Sequence, residues 1–404
     1  MADVMSQIQT IEDLRRLAQR RAPKMFYDYV DGGSWTESTY RANEQDLAKI
    51  AFRQRVCVNI EKRSLRSQMV GMDVSMPVAL GPIGMCGLMH ADGEIHAARA
   101  AKMAGVPFCL STMSICSIED VAQNVKEPFW FQLYMMRDRA FVESLIRRAD
   151  EAKCSALILT LDLQIMGDRH KDARNGLSAP PKIAPRFLLE LIRKPHWCFA
   201  MAQTSRRGFG NIVGHVAGVS DVSSLSAWTQ SQFDPTLTWA DVAWVRKLWK
   251  GKLILKGIMD EDDARRAIDL GADAIIVSNH GGRQLDGAPS SISVLPKITH
   301  VTGKACDIFF DGGIRSGQDV LRAMALGARG VFLGRAYVYG LGALCFRGVQ
   351  GVKISSHAGI LKPIQHTENN RQLRLKCIAL SHLVPHNRRT VARKKRGTVL
   401  GDCR

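Results

Sequence analysis

The sequence predicts an α/β chain folded as a (β/α)8 TIM barrel with an N-terminal helical cap. Eight short apolar runs recur along it, most followed by an amphipathic stretch, which is the signature of βα units and a parallel sheet. The runs begin at Pro77 (PVALGPIG), Pro107 (PFCLST), Phe129 (FWFQLYM), Ala156 (ALILTLD), Leu253 (LILKGI), Asp273 (DAIIVSNH), Asp307 (DIFFDGG) and Gly330 (GVFLGR). Their spacing is mostly 20 to 35 residues, and the one long gap reads as an insertion, about 176–241, in the loop after the fourth strand. At 404 residues and 46% apolar content the chain can bury a full barrel core, so residues 1–345 read as one domain.

A barrel of this kind gathers its chemistry at the carboxyl ends of its strands. The first four runs end in Gly84, Ser111, Gln132 with Tyr134, and Thr160 with Asp162, and the fifth ends in Lys256. The sixth leads into SNHGGRQLD, where His280 and Arg283 emerge together. A neutral imidazole accepts a proton near neutral pH, and a guanidinium grips a carboxylate through two parallel hydrogen bonds. The pair therefore suits an acid with an activated hydrogen. Either residue alone reads more simply as a satisfied core histidine or a surface arginine. After the last two strands come Asp311-Gly-Gly-Ile-Arg315 and Gly334-Arg335, where this fold commonly cradles a phosphate with backbone N–H groups and a cation. Neither a Walker lysine motif nor a Gly-x-Gly-x-x-Gly helix opening is present, which argues against a nucleoside triphosphate or a dinucleotide fold.

With these residues in view the chain resembles the FMN-dependent L-2-hydroxy-acid dehydrogenases and oxidases, in particular their respiratory bacterial branch. The resemblance runs from about Met5 to Leu344 and rests on PKMFYDYVDGGS, FQLYMMRDR, LTLD, LKGI, SNHGGRQLDG, DGGIRSG and LGRAYVYGLGA in order. It implies FMN as cofactor and His280 as proton acceptor, paired with Asp162. It implies Arg283, Arg169 and Tyr27 as ligands of the substrate carboxylate, Tyr134 at the 2-hydroxyl, and Lys256 beside the flavin. Pro82, Ile83, Gly84, Ser111, Gln132 and Thr160 are expected at the flavin ring, and Asp311, Gly312, Gly313, Arg315, Gly334 and Arg335 at its phosphate. Met113 and Met166 match substrate-pocket positions, where adaptable thioethers suit a small aliphatic acid such as lactate. Glycolate or a longer acid handled by an oxidase is the alternative. The blander roles are a helical cap for Tyr27, a barrel-interior ion pair for Lys256 and a loop hydrogen bond for Asp162.

Within the insertion, the stretch from Pro185 to Met201 mixes aliphatic and aromatic residues with basic ones. It reads as a segment lying in a membrane interface or as a lid packed on the barrel. The resemblance favours the former, with a quinone as electron acceptor and a peripheral place on the cytoplasmic side of the inner membrane. A polar N-terminus argues against a signal peptide, and the apolar stretch around Val70 to Met89 is too broken to span a bilayer. A homo-oligomer is expected if the barrel closes.

The ten cysteines lack Cys-x-x-Cys or zinc spacing and read as reduced, buried thiols, with no metal expected. Of the net charge of +18, residues 346–404 carry 13 basic and 2 acidic side chains. There the resemblance ends, RRTVARKKRG appears, and the acidic amphipathic helix expected to close the barrel is apparently replaced. Such a tail is either a basic extension able to bind nucleic acid or anionic lipid, or a shifted or disordered reading of the last segment. The abrupt loss of pattern favours the shifted frame and makes nucleic acid an unfavoured partner, while leaving open an inactive barrel.

Overall fold

The computed structural model describes residues 7–364 apart from 55, 58, 60, 178–184, 217–227 and 229–230, with side chains described as far as 350, residue 186 excepted. All eight apolar runs are parallel strands of one sheet: β1 (Val78–Leu80), β2 (Cys109–Ser111), β3 (Trp130–Tyr134), β4 (Ala156–Thr160), β5 (Lys252–Ile258), β6 (Ala274–Val277), β7 (Asp307–Asp311) and β8 (Gly330–Leu333). Neighbours follow chain order, β8 pairs with β1, and a bridge from Leu80 to Phe108 joins β1 to β2, so the sheet closes. The insertion after β4 is present, as expected.

Strand side chains alternate between two buried environments, because successive Cβ atoms point to opposite faces. Phe131, Leu133, Leu157, Leu159, Leu253, Leu255, Ile275 and Val277 face outward into the layer beneath the helices. Ala79, Cys109, Trp130, Ala156, Ile158, Ile254, Ala274, Ile276, Phe309 and Phe332 face the barrel axis. Small residues on β1, β2 and β4 leave room for three rings, with Trp130 at 6.4 Å from Phe309 and 5.8 Å from Phe332. The interior is thus a packed plug. Its floor is an antiparallel hairpin, Ser67–Met69 with Met72–Val74, which sends Met69 and Val74 into the same cluster.

That alternation sets the site. Two residues beyond an inward core position on each strand stand Gly81, Ser111, Gln132, Thr160, Lys256, Ser278, Asp311 and Gly334, and a further step reaches Tyr134, Asp162 and His280. The same period that packs Trp130 and Ile276 therefore aims polar groups at the open end of the barrel.

The N-terminal cap lies across this end. Its first helix, Ile11–Arg21, starts at a capping box made by Thr10 and Asp13. Arg15 then grips Asp31 through two bonds of 2.7 and 3.1 Å, the Tyr339 hydroxyl donates to the same carboxylate at 2.7 Å, and Arg21 donates to the Ala343 carbonyl at 2.7 Å. The eighth unit does have its helix: the backbone is helical from Arg335 to Ile364, interrupted at Leu344 and Cys345. There the chain doubles back so sharply that a Cβ on Gly348 would lie 1.9 Å from the Gly340 carbonyl oxygen. The expected replacement of the last barrel helix thus concerns its composition, since residues after Cys345 stay helical and Val349 is buried in the core. Residues 365–404, with the RRTVARKKRG run, lie outside the described residues.

All eight described cysteines are free thiols, and Cys57 is exposed, against the expectation that all are buried. No helix among the described residues is long and apolar enough to cross a membrane.

Candidate active site

A cavity of about 450 Å³ opens at the carboxyl ends of the strands. His280 stands at its edge with a left-handed backbone (φ 57°), a conformation that strains a residue bearing a Cβ. The strained turn is held by its own N–H donating to Ser278 Oγ at 3.1 Å, and by Gly281 and Gly282, which continue with positive φ. Gly282 could be nothing larger: an added Cβ would meet the Tyr40 backbone nitrogen at 2.4 Å.

The His280 Nδ1 lies 2.7 Å from Asp162 Oδ1. A carboxylate accepts only, so Nδ1 carries the proton and Nε2 is free to take another. Asp162 reaches the ring because Gly257, at φ 100°, has no Cβ: one there would fall 2.7 Å from Asp162 Cβ. Burial alone would raise the Asp162 pKa, but His280 and Lys256 overcome it, and the carboxylate is held below its ordinary range. Burial lowers the His280 pKa, Asp162 opposes this, and Lys256 reinforces it, so the imidazole is kept neutral as a base must be.

Lys256, buried on β5, donates to Ser278 Oγ at 3.1 Å, and its Nζ is 3.4 Å from Asp311 Oδ2. Ser278 in turn donates to Asp311 at 2.9 Å. Burial would strip the ammonium of its proton, but Asp162 and Asp311 hold its pKa above the usual lysine value. A fixed cation therefore points into the cavity floor.

On the opposite wall, Arg283 donates to the carbonyls of Tyr29 at 2.6 Å and Gly32 at 2.9 Å, and lies 4.7 Å above the Tyr29 ring. Arg169 is 5.7 Å from the same ring, with its Nε 3.5 Å from Asp172. Burial, and after it the neighbouring Arg169, push Arg283 down to about 10, so a buried cation here has a second cation beside it. Such a pair calls for an anion.

One expectation fails on this wall. Tyr27 is buried in the core, 6.4 Å from the Tyr339 ring, and does not line the cavity, whereas Tyr29 does. Both sit in the helix Lys24–Asp31, and two residues turn a helix by about 200°. They therefore face opposite ways, and it is Tyr29 that stands beside Arg169 and Arg283 at the cavity. Sequence reasoning also missed Ser278, the node joining Lys256 to Asp311, and Phe209 and Phe233, which the insertion contributes to the cavity wall.

The remaining residues test the fit of a flavin nucleotide. Pro82, Ile83, Gly84 and Ser111 line the cavity, as do Tyr134, Met113 and Met166. Gln132 and Thr160 sit buried behind the lining, and their Nε2 and Oγ1 atoms have no hydrogen-bond partner. Unpaired buried donors are costly, and a planar ring edged with carbonyls and a ring N–H would satisfy them. Asp311, Gly312, Gly313, Arg315, Gly334 and Arg335 gather at the far end. Arg335 is buried and bonded there to backbone carbonyls of Val30, Gly32 and Gly281 at 2.8 to 3.0 Å, while Arg315 pairs with Glu44 at 2.8 Å. Two cations beside the start of the last helix suit a phosphate. The residues present fit FMN from ring to phosphate.

Comparison with known proteins agrees with this geometry. The family model for FMN-dependent dehydrogenases matches residues 18–360, which carries it past Cys345. An L-lactate dehydrogenase of Caulobacter sp. (strain K31) is 44% identical over 346 residues, covering 85% of this chain and 90% of its own. That of Yersinia pestis (strain Pestoides F) is 40% identical over 386 residues, covering 95% and 98%. Among solved structures, the monotopic membrane protein (S)-mandelate dehydrogenase superposes with a TM-score of 0.85 at 35% identity, covering 89% of this chain and 95% of its own. A chain so matched along its length, with a flavin-shaped arrangement of donors at the mouth of its barrel, belongs to the FMN-dependent dehydrogenases, and FMN is its cofactor.

Proposed function

We propose that the enzyme oxidises L-lactate to pyruvate and delivers the electrons to a membrane quinone. The observation that carries the reading is the opposition, across one cavity, of a neutral base (His280 with Asp162) and an anion clamp (Arg283 with Arg169). A 2-hydroxy acid has its carboxylate one carbon from the hydrogen to be removed, so the same small molecule answers both walls. When bound, FMN supplies the acceptor for two electrons.

Arg283 and Arg169 hold the carboxylate, and Tyr29 adds a hydroxyl to it. His280 Nε2 takes a proton from the substrate, and Asp162 stabilises the imidazolium that results. Tyr134 orients the 2-hydroxyl. Lys256 offsets the negative charge that accumulates next to it as electrons leave the substrate. Met113, Met166 and Leu163 enclose the substrate side chain, and the similarity to L-lactate dehydrogenases supports a methyl there.

The insertion supports the membrane part of the proposal. Its helices Pro185–Ile192 and Pro195–Gln203 pack inward through Phe187 and Trp197 on Phe26, with ring centroids 6.1 and 5.7 Å apart. Leu188, Leu189, Ile192 and Phe199 stay exposed, between 60% and 76%. Apolar side chains bared together beside Arg193 and Lys194 suit the headgroup boundary of a bilayer, and the proposed place is the cytoplasmic face of the inner membrane.

The test is an anaerobic titration of the purified flavoprotein with L-lactate, D-lactate and (S)-mandelate, followed by its visible absorption. Bleaching by L-lactate in preference to the other two is expected. Bleaching by (S)-mandelate alone would overturn the substrate, and a bound flavin that no hydroxy acid reduces would overturn the reaction.

A further inference from the structure

Away from the cavity, His90, His96 and Cys345 come together where the connection after β1 packs against the turn of the last helix. One ligand atom from each lies within 4.8 Å of the other two, and none of the three residues lines the active site. We propose that these residues form a transition-metal site of the imidazole–thiolate type, suited to Zn²⁺, that fastens the first βα unit to the eighth.

Four observations support it. Two nitrogens and a sulfur are the donors Zn²⁺ prefers, and half-buried residues leave the fourth position to water. His90 Nδ1 lies 2.9 Å from the Ala91 carbonyl, so it carries the ring proton and Nε2 keeps its lone pair; metal-bound imidazoles are commonly fixed in this way. Cys345 adopts φ 56° and ψ −138°, a region favoured by glycine, so a side chain is kept at this turn against the backbone's preference. Asp92, which lies between the two histidines in the chain, is held by Thr204 at 2.9 Å and by Arg206 at 3.2 Å, which fixes the turn that carries them.

Zn–N and Zn–S bonds set ligand atoms about 3.4 to 3.6 Å apart in a tetrahedron. Closing the cluster therefore takes roughly 1 Å of side-chain rotation, with no change in the fold. Binding breaks the Cys345 S–H bond, forms the S–Zn bond and releases the proton to solvent, with no change of oxidation state. The sequence hid this site because Cys345 is far along the chain from the two histidines and no metal-ligand spacing connects them.

The test uses the FMN-loaded full chain. Zn²⁺ bound per chain is measured by equilibrium dialysis, and the melting temperature with and without Zn²⁺, in the native protein, C345S and H96Q. The proposal expects one Zn²⁺ in the native chain, affinity at least roughly 100-fold weaker in either variant, and a Zn²⁺-dependent rise in melting temperature that both variants lose. H96Q keeps the helical turn intact and so decides the matter if C345S folds poorly. No stoichiometric Zn²⁺ in the native chain would overturn the site, as would equal binding by H96Q, which would place the metal on other thiols.

Discussion

The two walls of the cavity are built on different principles. The base wall, Asp162, Lys256, Ser278 and His280, stands on strand ends, and each charge there has an opposite charge or a hydroxyl within 2.7 to 3.4 Å. The anion wall, Tyr29, Arg169 and Arg283, is assembled from the N-terminal cap and two loops, and its cations rest on carbonyls, an aromatic face and the half-share of Asp172. A wall whose charges are paired can hold a base neutral and in place without substrate, even though Asp162 Oδ2 has no hydrogen-bond partner of its own. An undersaturated wall keeps its strongest interaction for the ligand. Strand period thus positions the chemistry, whereas cap and loop packing positions the affinity.

His280 is where the base wall is most vulnerable. His280→Gln should reduce kcat by roughly 10²- to 10⁴-fold while FMN stays bound, because a general base typically contributes that much. Steady-state kinetics alongside the flavin spectrum would check it, and loss of flavin in step with activity would mean the residue serves the fold. Next, Arg283→Lys should lower kcat/KM by about 10- to 100-fold, the worth of a charged hydrogen bond, chiefly through KM. An effect confined to kcat would blur the division between the walls.

Acid sensitivity sharpens the same contrast. Burial lowers the His280 pKa, so kcat/KM should rise with pH through a value below the ordinary imidazole range and stay flat across neutrality. Asp162 raises that pKa against the pull of burial, so Asp162→Asn should move the acid limb to still lower pH while reducing the plateau. A limb shifted upward would contradict the pairing. The tyrosines give a smaller effect. Tyr29→Phe should raise KM by up to about 10-fold, and Tyr27→Phe should leave KM alone and cost about 1 kcal/mol of stability at most. Smallest for chemistry is Leu189→Glu with Ile192→Glu: binding to anionic vesicles should fall while kcat with a soluble dye acceptor stays within about two-fold.

This difference between walls also explains what the sequence could reveal. Strand-borne charges are legible because a period of two carries Ile254 to Lys256, Ile158 to Asp162 and Ile276 to His280 with little freedom for error, whereas Ser278, on the same period, has no charge to mark it. The expectation of Tyr27 had no such rule behind it, because in a tyrosine pair two apart in a helix the one that faces the cavity depends on how the helix lies over the barrel. The inward apolar face of the insertion and the roles of Phe209 and Phe233 were likewise set by contacts between distant segments. The course of the last helix is set by contacts of the same kind. Its second half lacks an amphipathic pattern, yet Gly340 against Gly348 and Arg21 on the Ala343 carbonyl fix the turn and return the chain to helix.

The division of labour is tested most directly by rapid-mixing measurement of flavin bleaching by L-lactate without oxygen, in the native enzyme, His280→Gln and Tyr29→Phe, over a range of lactate concentrations. The limiting rate should collapse in His280→Gln with its half-saturating concentration little changed, and Tyr29→Phe should show the reverse. A limiting rate in His280→Gln within about ten-fold of native would contradict the assignment of the base, since general-base removal costs roughly 10² or more.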